Sequence, residues 1–209
     1  MAHKTADAIL EFLTGERGPF DSAIAFVSSR SGRLRDLYRW TFDQDEPTKL
    51  TAERSLIVSP RWRPDGRMIL FASFREHLQH LFQVDPSTRQ VSRLVPGKGV
   101  VLGGAWSPDG TRLLVTREDG GNSDIYLLDR SGQTVQRLTD HWGIDVSPAW
   151  APDGRRFAFC SARAGSPQIY VMNVDGSGLT RLSHQGTYNT SPGWSPKGDR
   201  IAYASRASG

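Results

Sequence analysis

An all-β fold of repeated four-stranded antiparallel sheets is what this sequence predicts, on three observations. Trp62, Trp106, Trp150 and Trp194 stand 44 residues apart. The same 44-residue interval relates four turn segments: RPDG (63–66), SPDG (107–110), APDG (151–154) and SPKG (195–198). It also relates the columns Tyr38/Phe82/Tyr126/Tyr170, Leu50/Leu94/Leu138/Leu182 and Lys49/Arg93/Arg137/Arg181. Independent columns sharing one period mark a repeat architecture, in which each unit buries its faces against its neighbours. Four strands in a repeat of about 40–45 residues describe the blades of a β-propeller.

The elements follow in order. Residues 5–13 carry Ile9, Phe12 and Leu13 at helical spacing, and Gly15 is placed to end a short amphipathic helix. In each repeat the first strand, Ala149-Trp150 and its counterparts, runs into an x-Pro-Asp-Gly turn. There Pro presets a negative φ, Asp bonds the turn and Gly takes the left-handed position. The second strand alternates apolar residues at period two, as in Ile69/Phe71, Leu113/Val115, Phe157/Phe159 and Ile201/Tyr203. A polar tip such as 161–166 leads to the third strand, Ile169-Tyr170-Val171-Met172, and the Asp175-Gly176 turn to a short fourth ending Arg181-Leu182. The basic column then falls on the outermost strand, where charge is expected to block edge pairing.

The repeats run 24–60, 61–104, 105–148, 149–192 and 193–209, about four and a quarter blades. The first lacks a Trp-plus-turn strand of its own, and the last holds two strands. A propeller ring takes about four to eight blades. A closed four-bladed ring would leave 201–204 surplus, so an open arc of a larger ring is expected. Residues 1–20 read as a helical linker and 21–209 as an incomplete propeller.

Composition narrows the function. The 209 residues are 37% hydrophobic with 21 Gly, which excludes a disordered or collagen-like chain, and a single Cys excludes a disulfide scaffold. Cys160, beside Phe157 and Phe159, reads as a small buried hydrophobe. The formal charge of +4 comes from 26 Lys+Arg against 22 Asp+Glu, with no block of about five like charges. Neither nucleic acid nor a membrane surface is therefore an expected partner. No apolar run is long enough to span a membrane, and the N-terminus has no signal-peptide core. Metal and cofactor sites are not expected. Asp119-Gly-Gly-Asn122-Ser-Asp124 lacks the spacing and closing Glu of a calcium loop, and His77 and His80 lack a third zinc ligand nearby. No Gly-x-Ser-x-Gly elbow, P-loop, His-Glu-x-x-His or Rossmann glycine set occurs, so an enzyme reading must place its active site outside this chain.

Two sets of residues are recognisable. Ala6-Asp7-x-Ile9-x-x-x-Leu13-Thr14-Gly15-x-x-Gly18-x-Phe20, followed by Ile24-Ala25-Phe26-Val27, resembles the junction of the TolB family, where a small α/β domain hands over to a propeller. The repeats resemble TolB-type blades, x-Pro-x-Trp-Ser-Pro-Asp-Gly and then Ile-Tyr-Val-Met-x-x-Asp-Gly. The resemblance covers residues 6–209. It implies six blades, about 264 residues at this period. By that comparison the chain is expected to lack a signal peptide, all but a remnant of the N-terminal domain and the last blade or so. The resemblance further implies a non-enzymatic periplasmic scaffold of the Tol-Pal envelope system, supporting outer-membrane integrity and cell division. Its propeller would bind the peptidoglycan-associated lipoprotein Pal; coupling to TolA, which uses a segment missing here, is not implied. Similar blades form the gating propeller of prolyl-oligopeptidase-like serine peptidases, the alternative, against which the residues around Leu13-Thr14-Gly15 count.

In the family, Pal is met by the loops between the fourth strand of one blade and the first of the next, around the channel mouth. Here these are 53–60, 96–104, 140–148 and 184–192. The positions six to three residues before each blade Trp face the mouth in the family pattern. The resemblance thus points to Val100 and Gly103, to Ile144, Asp145, Val146 and Ser147, and to Tyr188, Asn189, Thr190 and Ser191. Val100 stands where a histidine is often found. Independently of the resemblance, loops on a rigid scaffold carry function and exposed aromatics favour interfaces, which adds Trp142 to Tyr188. Packing between adjacent blades is the other reading of these two rings.

Overall fold

The computed structural model describes residues 2–15, 18, 20–30, 35–52, 55–96 and 99–206. A helix, α1 (Ala2–Thr14), precedes the strands. The first blade holds β1 (Ala23–Ser28), β2 (Asp36–Thr41) and β3 (Thr48–Lys49). The second holds β4 (Ile57–Trp62), β5 (Ile69–Glu76), β6 (Leu78–Val84) and β7 (Val91–Arg93). The third holds β8 (Val100–Trp106), β9 (Arg112–Asp119), β10 (Asn122–Asp129) and β11 (Thr134–Arg137). The fourth holds β12 (Asp145–Trp150), β13 (Arg156–Ser161), β14 (Gln168–Asn173) and β15 (Thr180–Arg181), and β16 (Tyr188–Trp194) pairs with β17 (Ile201–Arg206). Every sheet is an antiparallel meander with its strands in chain order. The first has three strands and the last two, as the distribution of Trp-plus-turn segments requires.

Helix α1 ends where Gly15 turns left-handed at φ 74° and donates to the Glu11 carbonyl at 2.8 Å. Ile9, Phe12 and Leu13 are exposed. The helix is held instead by buried Asp7, whose carboxylate accepts the Phe20 and Asp21 amides at 2.9 and 2.7 Å. A Cβ on Gly18 would run into that carboxylate. The spacing of Asp7, Gly18 and Phe20 is therefore that of a staple between helix and first blade.

The core is divided among the gaps between blades, because successive residues of a strand point to opposite faces. Leu113 packs back on the second blade with Leu70, Leu81 and Trp106. Its neighbour Leu114 packs forward with Trp150, Phe157 and Phe159. Leu37, Ile57 and Phe71 fill the first gap, and Ala158, Cys160 and Ile169 meet Trp194 and Ile201 in the last. Trp150 and Trp194 also donate across a gap, to the Ala105 and Ala149 carbonyls at 2.8 and 3.1 Å.

The Pro-Asp-Gly segments form the expected turns. Gly66, Gly110, Gly154 and Gly198 donate to the residue three before them at 2.8–3.0 Å with φ of 65–72°. They also stack from blade to blade: Gly110 lies on Pro64, Gly154 on Pro108 and Gly198 on Pro152.

Two expectations need revision. The inner strands begin four to five residues earlier than the Ala-Trp pair suggests, so about half of the predicted mouth-loop residues are strand. Prolines hide this: Pro60, Pro148 and Pro192 sit at β-bulges, where the register slips and no ladder amide is needed. The basic column does not stand outward to guard an edge. Lys49 and Arg137 turn inward onto Asp36 and Asp124 at 2.6 and 2.7 Å, and Arg93, Arg137 and Arg181 donate to the carbonyl two residues on.

Candidate protein-binding surface

Antiparallel pairing gathers the starts of the inner strands and the hairpins between second and third strands at one end of the blades. Ile57 pairs with Ser73, Asp145 with Ser161, and Ser161 with Gln168. Ties between segments confirm the neighbourhood: Ala162 donates to the Ile144 carbonyl at 3.0 Å and Asn189 to that of Pro167 at 2.8 Å. All the sequence-predicted contact residues lie at this mouth end.

They divide by column. Six residues before each Trp stand Leu56, Val100, Ile144 and Tyr188. Ile144 and Tyr188 are 51% and 50% exposed, and Val100 is half-buried. The next column, Ile57, Val101, Asp145 and Asn189, is fully buried. Then come Val58, Leu102, Val146 and Thr190, of which Val146 packs on Ala158, Cys160 and Ile169 and Thr190 is half-buried. Ser59, Ser147 and Ser191 follow at the bulges with φ of 54–56°, an unusual left-handed backbone for a side-chain-bearing residue. Gly103 holds that place in the third blade, where the register also slips. Trp142 is 75% exposed and tilts against His141 at 5.1 Å, so it does not serve as blade packing, and Tyr188 stands half exposed at the start of the two-stranded last sheet.

Asp145 and Asn189 hold the surface from beneath. Arg163 donates to Asp145 at 2.9 Å and to Ser161 at 2.7 Å, and lies 5.1 Å over the Tyr170 ring. Asn189 donates to Gln168 and to the Gln185 carbonyl at 2.8 and 2.7 Å, while its own carbonyl accepts the Cys160 thiol. Burial, with a smaller contribution from Asp145, pushes that thiol up to about 11, so Cys160 stays protonated and inert.

The sequence-based set omits four apolar residues that share this end: Leu56, Phe74, Leu78 and Leu102. The 44-residue spacing identifies Leu56, which stands in the column of Val100, Ile144 and Tyr188. Phe74 and Leu78 sit on a hairpin whose length differs among blades, and periodicity cannot find them. The opposite end is made of turns whose carboxylates are satisfied locally or by arginine, as in the Arg63–Asp65–Arg130 chain and the Arg156–Asp153 pair.

Stacked four-stranded blades bearing one apolar, aromatic-rich end define a β-propeller repeat scaffold. The sequence profile of the TolB beta propeller domain matches residues 10–209, and this chain belongs to that family. The Tol-Pal system protein TolB of Syntrophus aciditrophicus is 48% identical over 99 residues, 46% of this chain and 22% of that protein. Its counterpart from Roseobacter denitrificans is 35% identical over 93 residues, 43% of this chain and 21% of that protein. The crystal structure of TolB from Acinetobacter baumannii superimposes with a TM-score of 0.82 at 34% identity, covering 99% of this chain and 53% of that one. The chain thus spans about half of that structure, and its matched segments about a fifth of the curated relatives. Among the described residues no helix is long and apolar enough to cross a membrane.

Proposed function

We propose that this chain is the propeller of a non-enzymatic Tol-Pal scaffold, working in the periplasm and docking the lipoprotein Pal on its mouth end. The observation that carries the reading is the gathering of Leu56, Phe74, Leu78, Leu102, Trp142, Ile144 and Tyr188, all exposed, at one end of the blades. An apolar patch with large rings, rimmed by polar groups, suits a protein partner. Membership of the TolB propeller family, and relatives named for the Tol-Pal system, support the choice of partner.

Docked rings dominate such interfaces. Tyr188→Ala and Trp142→Ala should each weaken Pal binding about tenfold, roughly 1.4 kcal/mol, measured by calorimetry with soluble Pal. Their unfolding midpoints should stay at the wild-type value. Absence of binding by the wild-type chain, or weakening only in variants that unfold, would reject the reading.

A further inference from the structure

The second blade departs from its neighbours at one repeated position. Asp36, His80, Asp124 and Gln168 stand 44 residues apart near the mouth-side start of the third strand. In three blades a hydroxyl donates to this residue: Thr51 to Asp36 at 3.3 Å, Thr139 to Asp124 at 3.2 Å and Ser183 to Gln168 at 2.7 Å. In the second blade the hydroxyl's place is taken by Val95, and the acceptor by a buried imidazole.

His80 is held differently. Its Nδ1 lies 3.1 Å from the Arg93 Nη2, and its Nε2 4.0 Å from the Glu76 carboxylate. A guanidinium only donates, so Nδ1 must offer its lone pair and the ring proton must sit on Nε2. Arg93 also donates to Glu76 at 2.8 Å and to the Val95 carbonyl at 3.0 Å. The three side chains fasten the outer strand β7 to β6 and to the hairpin between β5 and β6. That hairpin turns through His77 at φ 70° and presents Phe74 and Leu78 at the mouth. It also reaches the next blade, where Gln79 donates to the Leu102 carbonyl at 2.7 Å, next to Gly103.

We propose that His80 is a proton-sensitive pin of the mouth: a proton on Nδ1 expels Arg93, frees the 74–79 hairpin from its blade and weakens docking. The inference rests on the reading of the mouth as the Pal surface. A proton on Nδ1 converts a hydrogen bond into two cationic donors facing each other at 3.1 Å. Among the described residues Arg93 and Glu76 are the charged groups that bear on the ring, and Glu76 is already engaged by Arg93. Burial first, then Arg93, hold His80 below its ordinary value while Glu76 opposes them, so the pin is closed at neutral pH and yields to acid. Histidine is the side chain whose ordinary charge change falls between about pH 5 and 8, and the other blades have none at this position.

Amide hydrogen exchange on the intact chain tests the pin. Between about pH 7.5 and about pH 5, corrected for intrinsic rates, protection of the 74–79 hairpin should fall at least about threefold. The third-blade hairpin at 119–122 is the internal control and should hold. His80→Asp, which installs the residue of the first and third blades, should abolish the response. Over the same interval Pal affinity should fall at least about threefold in the wild type and not in this variant. Unchanged protection of 74–79, an equal loss at 119–122, or an equal loss in His80→Asp overturns the pin. Lost protection with constant Pal affinity overturns its coupling to docking. Pal binding at neither pH overturns the docking reading and its coupling alone, because the exchange result decides the pin by itself.

Discussion

The two ends of the blades are built on opposite principles. At the turn end the repeats do the same thing: a Pro-Asp-Gly or Pro-Lys-Gly turn closes, and at Gly110, Gly154 and Gly198 the glycine lies on the proline of the preceding turn. At the mouth end equivalent positions do different things. The fully buried column runs Ile57, Val101, Asp145, Asn189, apolar in two blades and polar in the next two. Stacking demands the same shape from every blade only where turns touch turns. Where loops face outward, each blade is free to differ, and that freedom lets one end acquire a binding surface.

The hardest test is at an interface between blades. Trp150 is buried and bonds the Ala105 carbonyl of the preceding blade. Trp150→Ala should cost about 3–5 kcal/mol in denaturant unfolding, as large aromatic truncations in packed cores do. A cost below about 1 kcal/mol would show that the blades do not share their cores.

A mouth-end substitution should come close to it. Arg163→Ala removes the only hydrogen-bond partner of the fully buried Asp145 carboxylate among the described residues, since its other oxygen has none. Stranding a buried charge costs about 3 kcal/mol or more. Near-neutral unfolding data would make Arg163 part of a free surface and erase the distinction drawn within the mouth.

Acid should separate the ends. Asp85, Asp109, Asp129 and Asp175 are held below the ordinary carboxylate value, chiefly by the hydroxyls of Ser87, Ser107, Ser131 and Ser177 at 2.6 Å. A depressed carboxylate stabilises the fold above its unfolded value of 3.8, and the contribution is lost as pH falls through the lower folded value. For His80, also depressed, the unfolded chain takes up the proton near 6.5, so its contribution is present above that and declines as pH falls below it. Exchange followed through an acid titration should therefore report loosening at the mouth first and at the turns only below 3.8. Simultaneous loss would break the comparison.

The smallest expected effect is the sharpest. Trp142→Ala should shift stability by no more than about 0.5 kcal/mol, as exposed substitutions do, while weakening Pal binding. A larger loss of stability would make Trp142 a packing residue.

Much of this was legible without coordinates. The 44-residue columns predicted the blades, their turns, the three-stranded start and the two-stranded finish, because residues repeated on a lattice make repeated contacts. The mouth positions Val100, Ile144 and Tyr188 came from the family resemblance, and the period adds Leu56 to their column. What escaped was whatever leaves the lattice. Each blade stacks an arginine on its third-strand ring, Arg30 on Tyr38, Arg75 on Phe82, Arg117 on Tyr126 and Arg163 on Tyr170, at 5.1–5.8 Å. No spacing announces this, since the arginines precede their rings by seven, eight or nine residues. The period alone determined the architecture of this protein. Tertiary structure alone decided which mouth residues are surface and which are supports, because hairpins of unequal length meet through space, and the burial of a strand residue is set by the blade beside it.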